Sequence, residues 1–90
     1  MKLSDRNKEK MTEYGIPEYM HGALIRYVEQ RIPPGDSLSA VLQNDLMEAF
    51  ARADENNRNA LYAYSMWLYN QAPHNCYGSP EAYKEWLADE

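Results

Sequence analysis

Ninety residues carrying 14 acidic and 9 basic side chains give a net charge of −5, which disfavours a general nucleic-acid binder, since that needs a broad basic surface. With one cysteine, Cys76, no intramolecular disulfide can form, and so short a chain buries a low fraction of its surface. It therefore reads as one helical domain over 1–90 that gains stability by assembling with copies of itself.

The first ten residues, MKLSDRNKEK, lack the apolar run of a signal peptide. No stretch nears the ~20 apolar residues that span a bilayer, and a lone thiol fits a reducing cytoplasm. Residues 4–13 are polar and charged. They read either as a short helix, capped by Ser4 and ended by Gly15, or as a loose N-terminal arm over 1–13.

A helix is expected over 17–32. Pro17 suits a first helical position, where its missing N–H costs nothing. Met20, Leu24, Tyr27, Val28 and Arg31 follow one helical face, while Ile25 and Ile32 lie on another. Pro33-Pro34-Gly35 stops this helix, and Asp36 or Ser37 caps the next, expected over 37–54. Leu38, Val41, Leu42, Leu46, Ala49, Phe50 and Ala53 form its amphipathic stripe. Asp45 falls inside that stripe, which predicts a buried carboxylate with a structural partner.

The polar stretch 53–59 reads as a turn or as part of one continuous or kinked helix. The continuous reading is preferred, because no Pro or Gly interrupts it. A helix over about 58–71 places Leu61, Tyr64, Trp67, Leu68 and Gln71 on one face, and Pro73 ends it. After the loop APHNCYGSP, Ser79 caps a last helix that begins at Pro80, packed down by Tyr83, Trp86 and Leu87. No run reads as a strand. The expected fold is all-α, a bundle of three to four helices.

Chemistry is sparse along this chain. His74 and Cys76 share a loop, but a zinc site needs about four ligands, and the other histidine, His21, is remote. A nucleophilic Cys needs a base at its sulfur, and closeness along a loop does not supply one. There is no glycine-rich phosphate loop, and no metal or cofactor is expected. Eight tyrosines stand out (14, 19, 27, 62, 64, 69, 77 and 83). A tyrosine buries a ring and keeps a polar tip wet, which suits core edges and flat ligands alike. Arg26 and Arg31 project from different sides of their helix. Arg31, at the corner before the next helix, has two readings. It pairs with the next helix N-terminus to hold a phosphate, or it complements the dipole of its own helix.

Further features carry a resemblance. Ile16-Pro17, Pro33-Pro34-Gly35, Asn44-Asp45-Leu46, Arg52-Ala53-Asp54 and Cys76-Tyr77-Gly78-Ser79-Pro80 together resemble the small phage anti-CBASS proteins, over roughly 14–88. That family sequesters cyclic oligonucleotide messengers. The resemblance implies an intertwined all-helical homohexamer in the cytoplasm of an infected bacterium. It implies binding of cyclic dinucleotides such as 3′,3′-cGAMP between protomers, and of cyclic trinucleotides where three protomers meet, without cleavage. In the family a tyrosine before the first long helix stacks on a base, which maps to Tyr14. A basic residue near the end of that helix meets a phosphate, which maps to Arg31, or failing that to Arg26. The trinucleotide site maps to Pro33, Gly35, His74 and Asn75, with His74 standing where the family has a stronger cation. The competing reading is an acidic inhibitor, of DNA-mimic type, that binds a host defence protein directly. The scatter of acidic residues among basic ones argues against the dense carboxylate rows such a mimic needs.

Overall fold

The computed structural model describes residues 2–88. Among them there are α-helices and one 3-10 turn but no strand. The all-α expectation therefore holds, but seven short helices replace the three to four expected. No helix among the described residues is long and apolar enough to cross a membrane.

Helix α1 (Asp5–Tyr14) settles the reading of the N-terminal stretch in favour of a helix. The Ser4 hydroxyl accepts from the Asn7 N–H at 3.1 Å, and the Asn7 side chain accepts from the Ser4 N–H at 3.0 Å. This reciprocal pairing satisfies backbone donors that a helix start leaves open. Gly15, at φ 94°, ends the helix in the left-handed conformation that glycine adopts without penalty. Helix α2 (Glu18–Gln30) buries Leu24, Tyr27 and Val28, as its spacing predicts. It stops at Arg31, which takes a left-handed conformation, φ 59°.

The expected helix 37–54 is divided. Helix α3 (Asp36–Leu42) ends before Asn44, which is left-handed at φ 63°. Asparagine tolerates that conformation because its short side chain is polar and slim. Helix α4 (Leu46–Arg52) then starts on Asp45, whose carboxylate accepts from the Glu48 N–H at 3.1 Å. The expectation of a buried Asp45 is thus overturned: the residue is exposed and serves as a helix cap. The continuous reading of 53–59 also fails. Asp54 caps a separate helix, α5 (Glu55–Asn59), accepting from the Asn57 N–H at 2.8 Å.

Helix α6 (Leu61–Gln71) buries Leu61, Tyr64, Trp67 and Leu68. Helix α1 is pinned across it. The Trp67 indole N–H donates to the Asn7 carbonyl at 2.8 Å, and the Asn7 amide donates to Gln71 at 2.8 Å. The 3-10 turn His74–Cys76 leads to α7 (Pro80–Ala88), which the Ser79 hydroxyl caps by accepting from the Ala82 N–H at 3.0 Å. One buried cluster gathers Met11, Leu24, Leu38, Leu42, Leu68 and Trp86 from α1, α2, α3, α6 and α7.

Candidate functional site

The corner at Arg31 is built around α7. The left-handed turn lets the Arg31 N–H reach the Tyr27 carbonyl at 3.1 Å and the Ile32 N–H reach the Arg26 carbonyl at 3.3 Å, closing the end of α2. The guanidinium donates from Nη1 to the Trp86 carbonyl at 2.8 Å, and its carbon lies 3.7 Å from the centre of the Trp86 ring. A cation over an indole face is attracted by the ring's electron density, and the carbonyl of a helix's last turn is a good acceptor for it. The Trp86 indole N–H in turn donates to the Tyr27 carbonyl at 2.9 Å. The Tyr27 hydroxyl donates to the Cys76 carbonyl at 2.7 Å, and its ring stacks on Tyr83 at 5.7 Å. Tyr83 meets the Ser39 hydroxyl at 2.9 Å. The result is a clasp of α2, α3, α7 and the 3-10 turn in which each aromatic polar tip has a partner.

Burial sets the acid–base character of this clasp. The Tyr27 hydroxyl is held well above the ordinary phenol range, first by desolvation and then by Cys76 and Tyr83. Desolvation pushes the Cys76 thiol up to about 12. A buried thiol that keeps its proton at neutral pH is a poor nucleophile. Among the described residues no group of three or more His, Cys, Asp and Glu is placed to hold a metal ion.

The residues singled out for a cyclic dinucleotide sit in different settings. Tyr14 closes α1, half-buried against the core. Arg26 is exposed on α2, folded back so that a Cβ on Gly22 would meet its Nη1 at 2.9 Å. Arg31 belongs to the clasp. The trinucleotide residues are also divided. Pro33 is exposed in the link to α3, and Gly35 lines a groove of about 440 Å³ together with Met20, Arg52, Asp54 and Asn57. His74 and Asn75 are exposed on the 3-10 turn, where the His74 ring stacks on Tyr69 at 6.5 Å.

Two features escape a reading based on helical stripes. The first is Arg52, which bonds Glu48 through Nε at 2.6 Å and faces Asp36 at 3.6 Å. It lines both the 440 Å³ groove and a neighbouring groove of about 290 Å³. Its spacing one turn after Glu48 was the available signal. The second is an apolar face. Leu46, Met47 and Phe50 on α4 are 62%, 81% and 45% exposed, and Tyr62 and Tyr69 on α6 are 74% and 69% exposed. From Asn59 through Pro80 the sequence has no Asp, Glu, Lys or Arg, and that run was its signal. Between α3, α6 and the turn before α7 lies a groove of about 370 Å³, lined by Val41, Asn44, Ser65, Met66, Tyr69 and Tyr77 among others.

No protein-family model, characterised protein or solved structure matches this chain.

Proposed function

We propose that this chain is a non-catalytic phage protein that binds cyclic di- and trinucleotide messengers, 3′,3′-cGAMP among them, and so keeps a bacterial CBASS effector from being switched on. The sequence resemblance over 14–88 suggests the ligand class. The observation that carries the reading furthest is an exposed tyrosine ring on α2, the helix that also carries Arg26. Tyr19, at the start of α2, is 60% exposed. A flat ring open to solvent is a stacking platform for a base, worth ~1–3 kcal/mol per base. Arg26 supplies an exposed guanidinium for a phosphate.

One chain is too small to enclose such a ligand, and the residues assigned to it belong to different elements. The dinucleotide site (Tyr14, Arg26 and Arg31) and the trinucleotide site (Pro33, Gly35, His74 and Asn75) are therefore proposed to close between protomers of a homo-oligomer, a hexamer in this reading. Symmetric copies can bring separate surface residues to one ligand. Sequestration requires a tight complex, near Kd ~1 nM or about −12 kcal/mol.

The test is isothermal titration with 3′,3′-cGAMP and with a cyclic trinucleotide, followed by heat denaturation and chromatography of the released ligand. The expected result is nanomolar binding, intact ligand recovered, and at least a tenfold loss in Arg26→Ala. Arg31→Ala is a poor probe, because it also removes the Trp86 contacts. Linear products would make the protein an enzyme. Absence of heat with both ligands would leave direct capture of a host defence protein as the reading to pursue.

A further inference from the structure

We propose that the exposed face of α4 and α6 is where two copies of this chain meet across a two-fold axis. This pairing needs no ligand and shares with the function proposed above only the premise that the chain self-associates.

The face is apolar, and one groove makes it continuous. Leu46 and Ala49 of α4 share a groove of about 50 Å³ with Leu61 and Ser65 of α6, lined also by Asn44 and Asp45. The outward positions of α6 carry Tyr62, Ser65, Met66 and Tyr69, which follow one another at helical spacing. On α4 only Ala49 is buried, so this short helix spends its larger apolar side chains, Leu46, Met47 and Phe50, on solvent. Unpartnered apolar surface of this extent marks an interaction site in a small soluble domain.

Area and charge point to a second copy as the occupant. At ~150–250 Å² for a whole aromatic side chain, the open parts of Phe50, Tyr62 and Tyr69 expose on the order of 400 Å². Leu46, Met47 and half-buried Met66 bring the face towards the ~800 Å² per partner of a standard stable interface. A two-fold contact lays a patch against itself, so any charge near the axis meets its own sign. In a chain of net charge −5, the run from Asn59 to Pro80 keeps the α6 part of the face free of acidic and basic residues. Its polar groups are the hydroxyls of Tyr62, Ser65 and Tyr69 and the amide of Asn70, which both donate and accept and so can pair with their own copies. An anionic membrane or a nucleic acid would instead call for a basic rim, whereas Asp45 and Glu48 flank the α4 side and the one cation of that helix, Arg52, is paired with Glu48.

Light scattering on the chromatographed protein at ~100 μM tests the pairing. Met47→Glu and Tyr62→Glu, singly and together, place a charge where the face meets itself. Both sites are mostly exposed, so circular dichroism should show the folded spectrum unchanged. Gln30→Glu adds the same charge at an exposed site on α2 and serves as the control. The expected result is a wild-type mass at an even multiple of the 10.5 kDa chain, unchanged in the control and reduced to half or less in the double variant. A wild-type protein running as single chains overturns the proposal. So does an assembly whose mass survives the double variant with the helical spectrum intact.

Discussion

Tyr27 and Tyr62 are the same residue in opposite employment. Tyr27 is fully buried, its ring stacked on Tyr83 and its hydroxyl spent on the Cys76 carbonyl. Tyr62 is 74% exposed on a charge-free helix face. The clasp of α2 and α7 and the open face of α4 and α6 thus use similar aromatic material for different ends. In the clasp every ring fixes one element against another. On the open face Tyr62 leaves its ring in solvent, and Tyr69 stacks on the exposed His74. Aromatic content therefore says little about stability in this protein until the partner of each polar tip is known.

Trp86 is the residue on which the clasp depends most. Trp86→Ala removes a buried indole, the ring beneath Arg31 and the donor to the Tyr27 carbonyl. The expected loss is ~3–5 kcal/mol, a large part of what a domain of this size possesses, so urea denaturation should show a protein barely folded or unfolded. An unfolding free energy within about 1 kcal/mol of wild type would show that the clasp does not hold α7 in place.

Alkaline pH attacks the same region without mutation. The folded protein keeps the Cys76 proton up to about 12. The unfolded chain releases it near its ordinary value of about 8.5. The folded state then holds more protons than the unfolded one, so stability is full below that range and falls as pH rises through it. The slope approaches ~1.4 kcal/mol per pH unit for the one group. Tyr27 and Tyr64, both raised by burial, steepen the fall above pH ~10. Urea midpoints measured between about pH 8 and 10 should drop in wild type and flatten in Cys76→Ala. Equal slopes in the two proteins would assign the effect elsewhere.

Tyr27→Phe is the finer cut. It keeps the ring and leaves the buried Cys76 carbonyl without its donor, an expected cost of ~1–3 kcal/mol. A neutral result would mean that another donor reaches that carbonyl. The smallest effects belong to the open face. Met47→Ala and Tyr62→Ser should change the stability of the single chain by less than about 0.5 kcal/mol, read from urea curves at low protein concentration. A larger loss there would erase the contrast with the clasp.

The sequence stated some of this in plain local chemistry. Ser4, Gly15 and Ser79-Pro80 mark helix ends by rules that need no tertiary context, and the structure places ends there. The stripe on α2 and the face of α6 were legible because their apolar residues point into the chain's own core. The stripe from Leu38 to Ala53 misled for a physical reason. Helical periodicity cannot separate residues that face the chain's core from residues left facing outward. Leu38 and Leu42 are of the first kind, while Leu46 and Phe50 are of the second. The break between them was written in polar residues. Asn44 suits a left-handed stop, and Asp45 with Glu48 three residues on is a helix start. The role of Arg31 was illegible, because Trp86 lies 55 residues away in sequence. The residues assigned to nucleotides could not be gathered into sites from spacing alone, since α1, α2, the α2–α3 link and the 3-10 turn are related only through the fold.

The two tryptophans give this small protein a pair of built-in lamps. Trp67 sits where α1 crosses α6, its indole N–H on the Asn7 carbonyl, and Trp86 sits where α7 closes on α2, its indole N–H on the Tyr27 carbonyl. Each seam therefore carries its own emitter, buried and held by one backbone acceptor. Followed in the intact chain as two separate indole N–H resonances, Trp67 reports the fate of the N-terminal helix and Trp86 that of the C-terminal helix. The order in which the two dim during unfolding tells which end of the chain lets go first.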